Sequence, residues 1–153
     1  EIKKKNLKIK LHMIGKLQTN KVKFAVKLFD YIHSVDNEKM AKKIAEEQLK
    51  FDKKVKIFLQ VNIGEESQKS GIKKNDLNKL VYYCNEIKLD LIGLMCIPPA
   101  NIDPEHYFKE MQQLNKNYGF KELSMGMSSD YIQAAKNLST YLRIGSKIFG
   151  QRT

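Results

Sequence analysis

Arginine is scarce in this chain: only Arg143 and Arg152 occur among its 28 basic residues. Arginine is the usual reader of base edges, and aromatic residues do not interleave with the basic runs. The lysines are mixed with acidic residues in helix-like stretches such as KMAKKIAEEQLK (39–50), where solvated faces account for them. The formal net charge of +11 therefore does not predict a nucleic-acid-binding protein.

Long hydrophobic runs are also missing. No apolar stretch approaches the roughly 18 residues needed to span a bilayer, and the basic start EIKKKNLKIK precedes no apolar signal segment. Two cysteines, Cys84 and Cys96, lack metal-ligand spacing and fall in a predicted helix and a predicted strand, where we expect small buried hydrophobes. These features predict a reducing, cytoplasmic setting.

Strand-like and helix-period segments alternate six times along the 153 residues. Pro104 and Gly119 bracket one predicted helix, Asn20 is a candidate N-cap, and Met40, Ile44 and Leu49 are expected near one helix face. Such repeats predict a parallel sheet with helices outside it. An open doubly wound sheet and an incomplete (β/α)8 barrel both fit the count. The predicted strands are 11–15, 31–36, 56–63, 89–97, 122–126 and 140–150; the predicted helices are 20–29, 37–50, 75–87 (opening on a polar cap), 104–119 and 128–138.

The carboxyl ends of the strands are where parallel α/β folds keep their functional residues. SMGMSSD (124–130) and RIGSKIFG (143–150) follow the last two predicted strands and offer glycines, serines and free N–H groups. Free N–H groups at a helix start favour an anion, and barrels often bind phosphate after strands 7 and 8. Serine and glycine are equally normal turn residues, so a Gly-bounded turn after an apolar strand remains the alternative.

The sequence lacks the motifs of metal sites, nucleotide-binding loops and serine hydrolases. His12, His33 and His106 have no clustered metal-ligand partners, and neither a Walker loop nor GxGxxG occurs. The sequence GMSSD departs from the GxSxG elbow at its last position. His12, at a strand end, remains a candidate acid, base or ligand contact, with a structural histidine as the alternative.

Six motifs stand in a specific order along the chain: HMIGKLQTNKVK, IHSVD, QVNIGEESQKSGI, GLMCIPP, LSMGMSSDYIQAA and RIGSKIFGQR. Through these motifs the chain resembles the pyridoxal phosphate homeostasis proteins from about Leu11 to Arg152. The resemblance implies one domain (1–153) with the (β/α)8 TIM-barrel fold of the alanine racemase N-terminal type, binding pyridoxal 5′-phosphate (PLP) at its carboxyl face.

The resemblance also implies roles for individual residues. It places Arg143 at the pyridine nitrogen and His12 near the ring. A fixed guanidinium there disfavours protonation of that nitrogen and weakens PLP as an electron sink. This suits PLP storage or delivery rather than turnover, with no catalytic residue assigned. Alanine racemase carries such an arginine too, so a racemase-like enzyme remains an alternative. The phosphate would be held by Ser124, Met125, Ser128, Gly145 and Ser146.

The chain also departs from the family pattern. Family members begin with a strand carrying the Schiff-base lysine, and a second unit follows it. We find neither, and the chain begins with Glu1 rather than methionine. We therefore expect a barrel lacking about its first two βα units, with exposed edges that favour self-association or a separate N-terminal fragment. Lys69 is a candidate substitute anchor, and a non-functional remnant is a further alternative.

Overall fold

The computed structural model describes residues 8–150, in which six strands and six α-helices alternate. A 3-10 turn at Thr19–Lys21 precedes the first helix. The strands are β1 (His12–Met13), β2 (Tyr31–Val35), β3 (Lys56–Val61), β4 (Asp90–Cys96), β5 (Glu122–Met127) and β6 (Tyr141–Arg143). The helices are α1 (Val22–Leu28), α2 (Glu38–Phe51), α3 (Lys74–Glu86), α4 (Glu105–Asn117), α5 (Tyr131–Lys136) and α6 (Ser146–Phe149).

The sheet follows chain order from β1 to β6, and every neighbouring pair is parallel. A doubly wound sheet would reverse its strand order at a switch point, and this one does not. The sheet also curls, because the Tyr141 ring on β6 lies 5.5 Å from His12 on β1 and 5.7 Å from Tyr31 on β2. The fold is therefore a curled parallel half-barrel with six of the eight units of a (β/α)8 barrel, as the resemblance implied.

The two faces of the sheet bury different side chains, because successive strand residues point to opposite sides. Phe58 and Met95 are fully buried but stand apart from the main apolar cluster, and the Phe58 ring lies 5.3 Å from Tyr141 inside the half-barrel. The main cluster packs the outer face against the helices, and burial of each large side chain contributes roughly 1.5–3 kcal/mol. Its members include Ile32, Ile57, Leu59, Leu94, Leu123, Ile44, Leu77 and Phe108.

Helix α2 confirms one part of its predicted face and corrects another. Met40 and Ile44 are buried, whereas Leu49 is 84% exposed. At about 100° per residue, Leu49 lies half a turn away from Met40, so both cannot face the sheet. Ala41 and Glu47 complete the buried face instead.

The predicted caps had mixed outcomes. Asn20 is not an N-cap, because the 3-10 turn delays α1 and leaves Lys21 at the cap position without a side-chain bond. The polar cap expected for α3 is wrong as well, since Lys73 precedes that helix and makes no capping bond. The end of α4 is as predicted: Gly119 follows it with a φ of +69°, a conformation that glycine adopts without strain.

The elements around the last two strands differ from the predicted bounds. Strand β5 runs on to Met127 and α5 begins only at Tyr131, whereas β6 is three residues long and α6 occupies part of the remaining predicted strand. Gly126 makes this possible: its φ is +92°, and a Cβ there would lie 2.5 Å from the Cβ of Ala134 on α5. The close approach of β5 to α5 fixes the segment that follows.

Cys84 and Cys96 are both buried, as predicted. Burial raises the pKa of each thiol to about 12. Within residues 8–150, no helix combines the length and the apolarity needed to cross a membrane.

Candidate functional site

A cavity of about 1410 Å³ opens at the carboxyl ends of the strands. The loop after β4, the segment after β5 and the segment after β6 supply most of its lining. The two Ser/Gly-rich segments that the sequence singled out therefore meet at one site. The predicted site residues that line this cavity are His12, Ser128, Arg143, Gly145 and Ser146.

Ser124 and Met125 do not line the cavity. Both lie within β5, so their side chains point to opposite faces of the sheet. Met125 is packed in the core cluster beneath the helices. Ser124 points into the half-barrel, where Arg143 Nη1 donates to its Oγ at 2.8 Å and His33 Nδ1 lies 2.9 Å away. The hydroxyl is thus engaged by the side chains of Arg143 and His33.

Arg143, the last residue of β6, is held at both guanidinium ends. Nη1 donates to Ser124 Oγ and Nη2 to the Cys96 carbonyl oxygen, each at 2.8 Å. Burial lowers the pKa of the guanidinium, while Cys96 and Asp130 oppose that shift. Arginine nevertheless stays charged in proteins, so these bonds hold a permanent cation at the cavity wall.

The segments after β5 and β6 are joined by one hydroxyl. Ser128 Oγ accepts hydrogen bonds from the backbone N–H groups of Gly145, at 3.1 Å, and Lys147, at 3.4 Å. Two N–H groups thus converge on one acceptor, and Ser146, which follows Gly145, also lines the cavity. An anionic oxygen binds such donors about twice as strongly as a hydroxyl does, so a phosphate oxygen would replace the Ser128 hydroxyl at these two N–H groups.

Asp130 is the acidic residue of the segment after β5. Its carboxylate accepts a hydrogen bond from the Met127 N–H at 2.6 Å and also lines the cavity. The bond closes the turn after β5 and thereby orients Ser128, which lies between the two residues.

His33 is a site residue that the sequence analysis missed. It is 1% exposed, its Nε2 lies 2.9 Å from His12 Nδ1, and its ring stacks on Phe58 with centroids 4.2 Å apart. Burial, together with His12 and Arg143, lowers the pKa of His33 to about 3, so the ring is neutral. The available signal was a histidine inside a buried strand, because a buried polar ring needs hydrogen-bond partners.

His12 forms the edge of this group. Its ring stacks on Tyr31 with centroids 4.1 Å apart and planes 10° from parallel. Burial lowers the pKa of His12, while the Asp30 carboxylate acts in the opposite direction. The prediction that His12 lies at the site is in keeping with its place on the cavity wall.

Lys69 is not positioned as a substitute anchor. Its Nζ donates to the Pro98 carbonyl oxygen at 3.0 Å and pairs with the Glu66 carboxylate at 2.6 Å. Neither it nor any other lysine in residues 8–150 lines the cavity. The same part of the chain has no group of three or more His, Cys, Asp or Glu residues that could hold a metal ion.

Comparison with known sequences places this arrangement in a family. The family model described as "Alanine racemase, N-terminal domain" matches residues 1–153. The pyridoxal phosphate homeostasis protein of Aquifex aeolicus is 35% identical over 158 residues, covering 97% of this chain and 69% of the relative. That of Vibrio cholerae is 37% identical over 155 residues, covering 95% and 66%. The chain thus spans about two thirds of the length of these relatives.

Solved structures give the same result. PipY of Synechococcus elongatus, solved with PLP bound, superposes with a TM-score of 0.84 at 30% identity, covering 96% of this chain and 73% of that one. Alanine racemase of Clostridium difficile superposes at 0.70 with 16% identity, which shows the fold alone. The half-barrel and the cavity at its strand ends together define a protein of the alanine racemase N-terminal class. Within that class, the chain belongs to the pyridoxal phosphate homeostasis protein family.

Proposed function

We propose that this protein binds PLP in the strand-end cavity and serves PLP homeostasis without turning over a substrate. One observation carries the proposal: the N–H groups of Gly145 and Lys147 converge on Ser128 in the cavity that Arg143 lines. That donor set suits a phosphate and an adjoining ring. The PLP-bound structure of PipY and the names of the relatives support the same ligand.

The residues that line the cavity fit the phosphate and the pyridine nitrogen of PLP, but within residues 8–150 they include no lysine that could bond to its aldehyde. Ser128, Gly145 and Ser146 would hold the phosphate, and the guanidinium of Arg143 would face the pyridine nitrogen and oppose its protonation. PLP, when bound, supplies an electron sink that depends on that proton, so the arginine favours carriage over turnover. No lysine lines the cavity within residues 8–150. Reversible binding rather than a covalent bond is therefore expected, and the racemase alternative lacks a lysine base in this part of the chain.

Residues 1–153 form a single domain in this proposal, in keeping with the span of the family model. The two buried, free thiols agree with a cytoplasmic location. A second copy or a separate N-terminal fragment would cover the margins of the half-barrel, since β1 and β6 each have one strand neighbour among residues 8–150. Exposed apolar side chains support such a partner at both margins: Ile9, Ile14, Phe24 and Leu28 near β1, and Ile132, Leu142, Ile148 and Phe149 near β6.

The test is a PLP titration of the purified chain, followed by borohydride reduction and intact-mass measurement. We expect saturable binding that dialysis reverses and no mass increase after reduction. An adduct mapped to a lysine would contradict the reversible mode, and the absence of any binding would contradict the proposal. Sedimentation at several concentrations shows whether the chain self-associates.

Arg143→Gln tests the proposed ring contact, because glutamine keeps hydrogen-bonding capacity and removes the charge. The pKa of the bound pyridine nitrogen, followed by nuclear magnetic resonance (NMR) of ¹⁵N-labelled PLP, should rise in the variant. An unchanged value would place the guanidinium away from the ring.

A further inference from the structure

An unbroken line of hydrogen bonds runs from the cation at β6 to the ring at β1. Arg143 Nη1 lies 2.8 Å from Ser124 Oγ, and Ser124 Oγ lies 2.9 Å from His33 Nδ1. His33 Nε2 in turn lies 2.9 Å from His12 Nδ1. The four residues belong to four different strands, so the line exists only because the sheet curls.

The chemistry of the groups sets the direction of every bond in this line. Arginine has only donors, so Ser124 Oγ accepts from Arg143. Ser124 is fully buried, so its own proton needs an acceptor, and His33 Nδ1 is the acceptor within reach. His33 then carries its proton on Nε2 and donates to His12 Nδ1. The proton of neutral His12 is left on Nε2.

The opposite direction fails at Ser124. If His33 Nδ1 carried the proton, Ser124 Oγ would accept from both His33 and Arg143, and its own proton would be left without an acceptor in a fully buried position. A doubly protonated His33 would face the guanidinium on one side and His12 on the other, both of which disfavour its charge. The neutral ring with the proton on Nε2 satisfies every group.

The other charged neighbour does not reverse this order. Asp30 acts electrostatically on His12, but its Oδ2 accepts the Leu11 N–H at 2.8 Å. His12 Nε2 has no hydrogen-bond partner within residues 8–150, and the ring lines the cavity. The free nitrogen is therefore available to a ligand as an N–H donor.

We infer that Ser124 and His33 are positioning residues that fix His12 in the Nε2–H tautomer, so that the cavity presents a hydrogen-bond donor to an acceptor oxygen of its ligand. The identity of that ligand rests on the proposed function, and PLP has several such oxygens. The fixed tautomer does not rest on the proposed function, because it follows from the hydrogen bonds within the protein. Ser124 and His33 act through His12 and need not touch the ligand themselves.

The first experiment measures the tautomer without PLP. Long-range ¹H–¹⁵N correlation spectra of the full chain at pH 7 should show His12 and His33 neutral, each with a bare Nδ1 and a protonated Nε2. Exposed His106 serves as the internal reference for a ring in solvent. A His12 ring protonated on Nδ1 would overturn the inference.

Two variants at one position separate orientation from packing. His33→Gln keeps an acceptor towards Ser124 and a donor towards His12, so His12 should remain the Nε2–H tautomer. His33→Phe keeps the stacking surface beside Phe58 but breaks the line, so His12 should become a tautomer mixture. Identical His12 spectra in the two variants would overturn the inference. Ser124→Ala gives the same comparison should His33→Phe not fold.

A second readout ties the tautomer to ligand binding. Loss of one oriented hydrogen bond should weaken PLP binding by about fivefold in His33→Phe relative to His33→Gln. Equal affinities, with the tautomer released as expected, would overturn the contact between His12 and the ligand. Absence of PLP binding by the unmodified chain would contradict the proposed function instead, and the spectra alone would then decide the tautomer.

Discussion

Gly126 is a position where a single added methyl group should damage the site through both backbone strain and overpacking. Its φ of +92° is one that an L side chain rarely adopts, which costs alanine roughly 1–2 kcal/mol. The added Cβ would also lie 2.5 Å from Ala134 Cβ and 3.1 Å from Leu142 Cδ2. Such overpacking adds typically about 1–3 kcal/mol. We expect Gly126→Ala to lower the free energy of unfolding by about 2–5 kcal/mol, a large share of the roughly 5–15 kcal/mol of an ordinary domain.

Alanine substitutions at two other glycines, measured by urea denaturation, separate the cost of backbone strain from the cost of overpacking. Gly119 has a φ of +69° with open space around its Cβ position, so Gly119→Ala should lose only the roughly 1–2 kcal/mol of backbone strain. Gly15 has open space and no such φ, so Gly15→Ala should stay within about 0.5 kcal/mol. Equal midpoints for Gly126→Ala and Gly15→Ala would refute the argument. A loss at Gly119 as large as that at Gly126 would show that the contact with Ala134 is unimportant.

Three further results are expected. Asn115→Ala should destabilise the fold by about 2–4 kcal/mol, because the buried amide accepts the Leu94 N–H and donates to the Phe120 carbonyl oxygen, each at 3.0 Å; exposed Gln113→Ala is the control, and equal urea midpoints would contradict this. The pKa of His33 is lowered to about 3 in the folded chain, so the unfolded chain binds its proton first. Stability should therefore be complete above about pH 6.5 and fall towards pH 3, by at most about 5 kcal/mol; a slope unchanged in His33→Gln would exclude His33 as its source. The thiols of Cys84 and Cys96, with pKa values of about 12, should react with a disulfide reagent only after unfolding, and rapid labelling of the native chain would contradict their burial.

Local signals predicted much of the architecture. Strand and helix periods gave all the major elements, and Pro104 and Gly119 bracketed α4 because each residue acts on its own backbone. The segments after β5 and β6 were expected to form one site, since the carboxyl ends of parallel strands meet at one edge of the sheet. The cap expected at Asn20 was wrong, because Asn20 lies within a 3-10 turn that delays the start of α1.

The sequence by itself determined the alternation of strands and helices, the family and the residues that end each strand. Those features depend on residue type and spacing along the chain. Only the tertiary structure decided that the sheet curls, that Ser124 is occupied by Arg143 and that His33 joins His12 to that pair. Ser124 and His33 are 91 positions apart, and the period of a strand says which face a side chain takes but not what it meets there. The inner face of a curled sheet is assembled from strands that are distant in sequence, so its hydrogen bonds depend on the curl of the sheet.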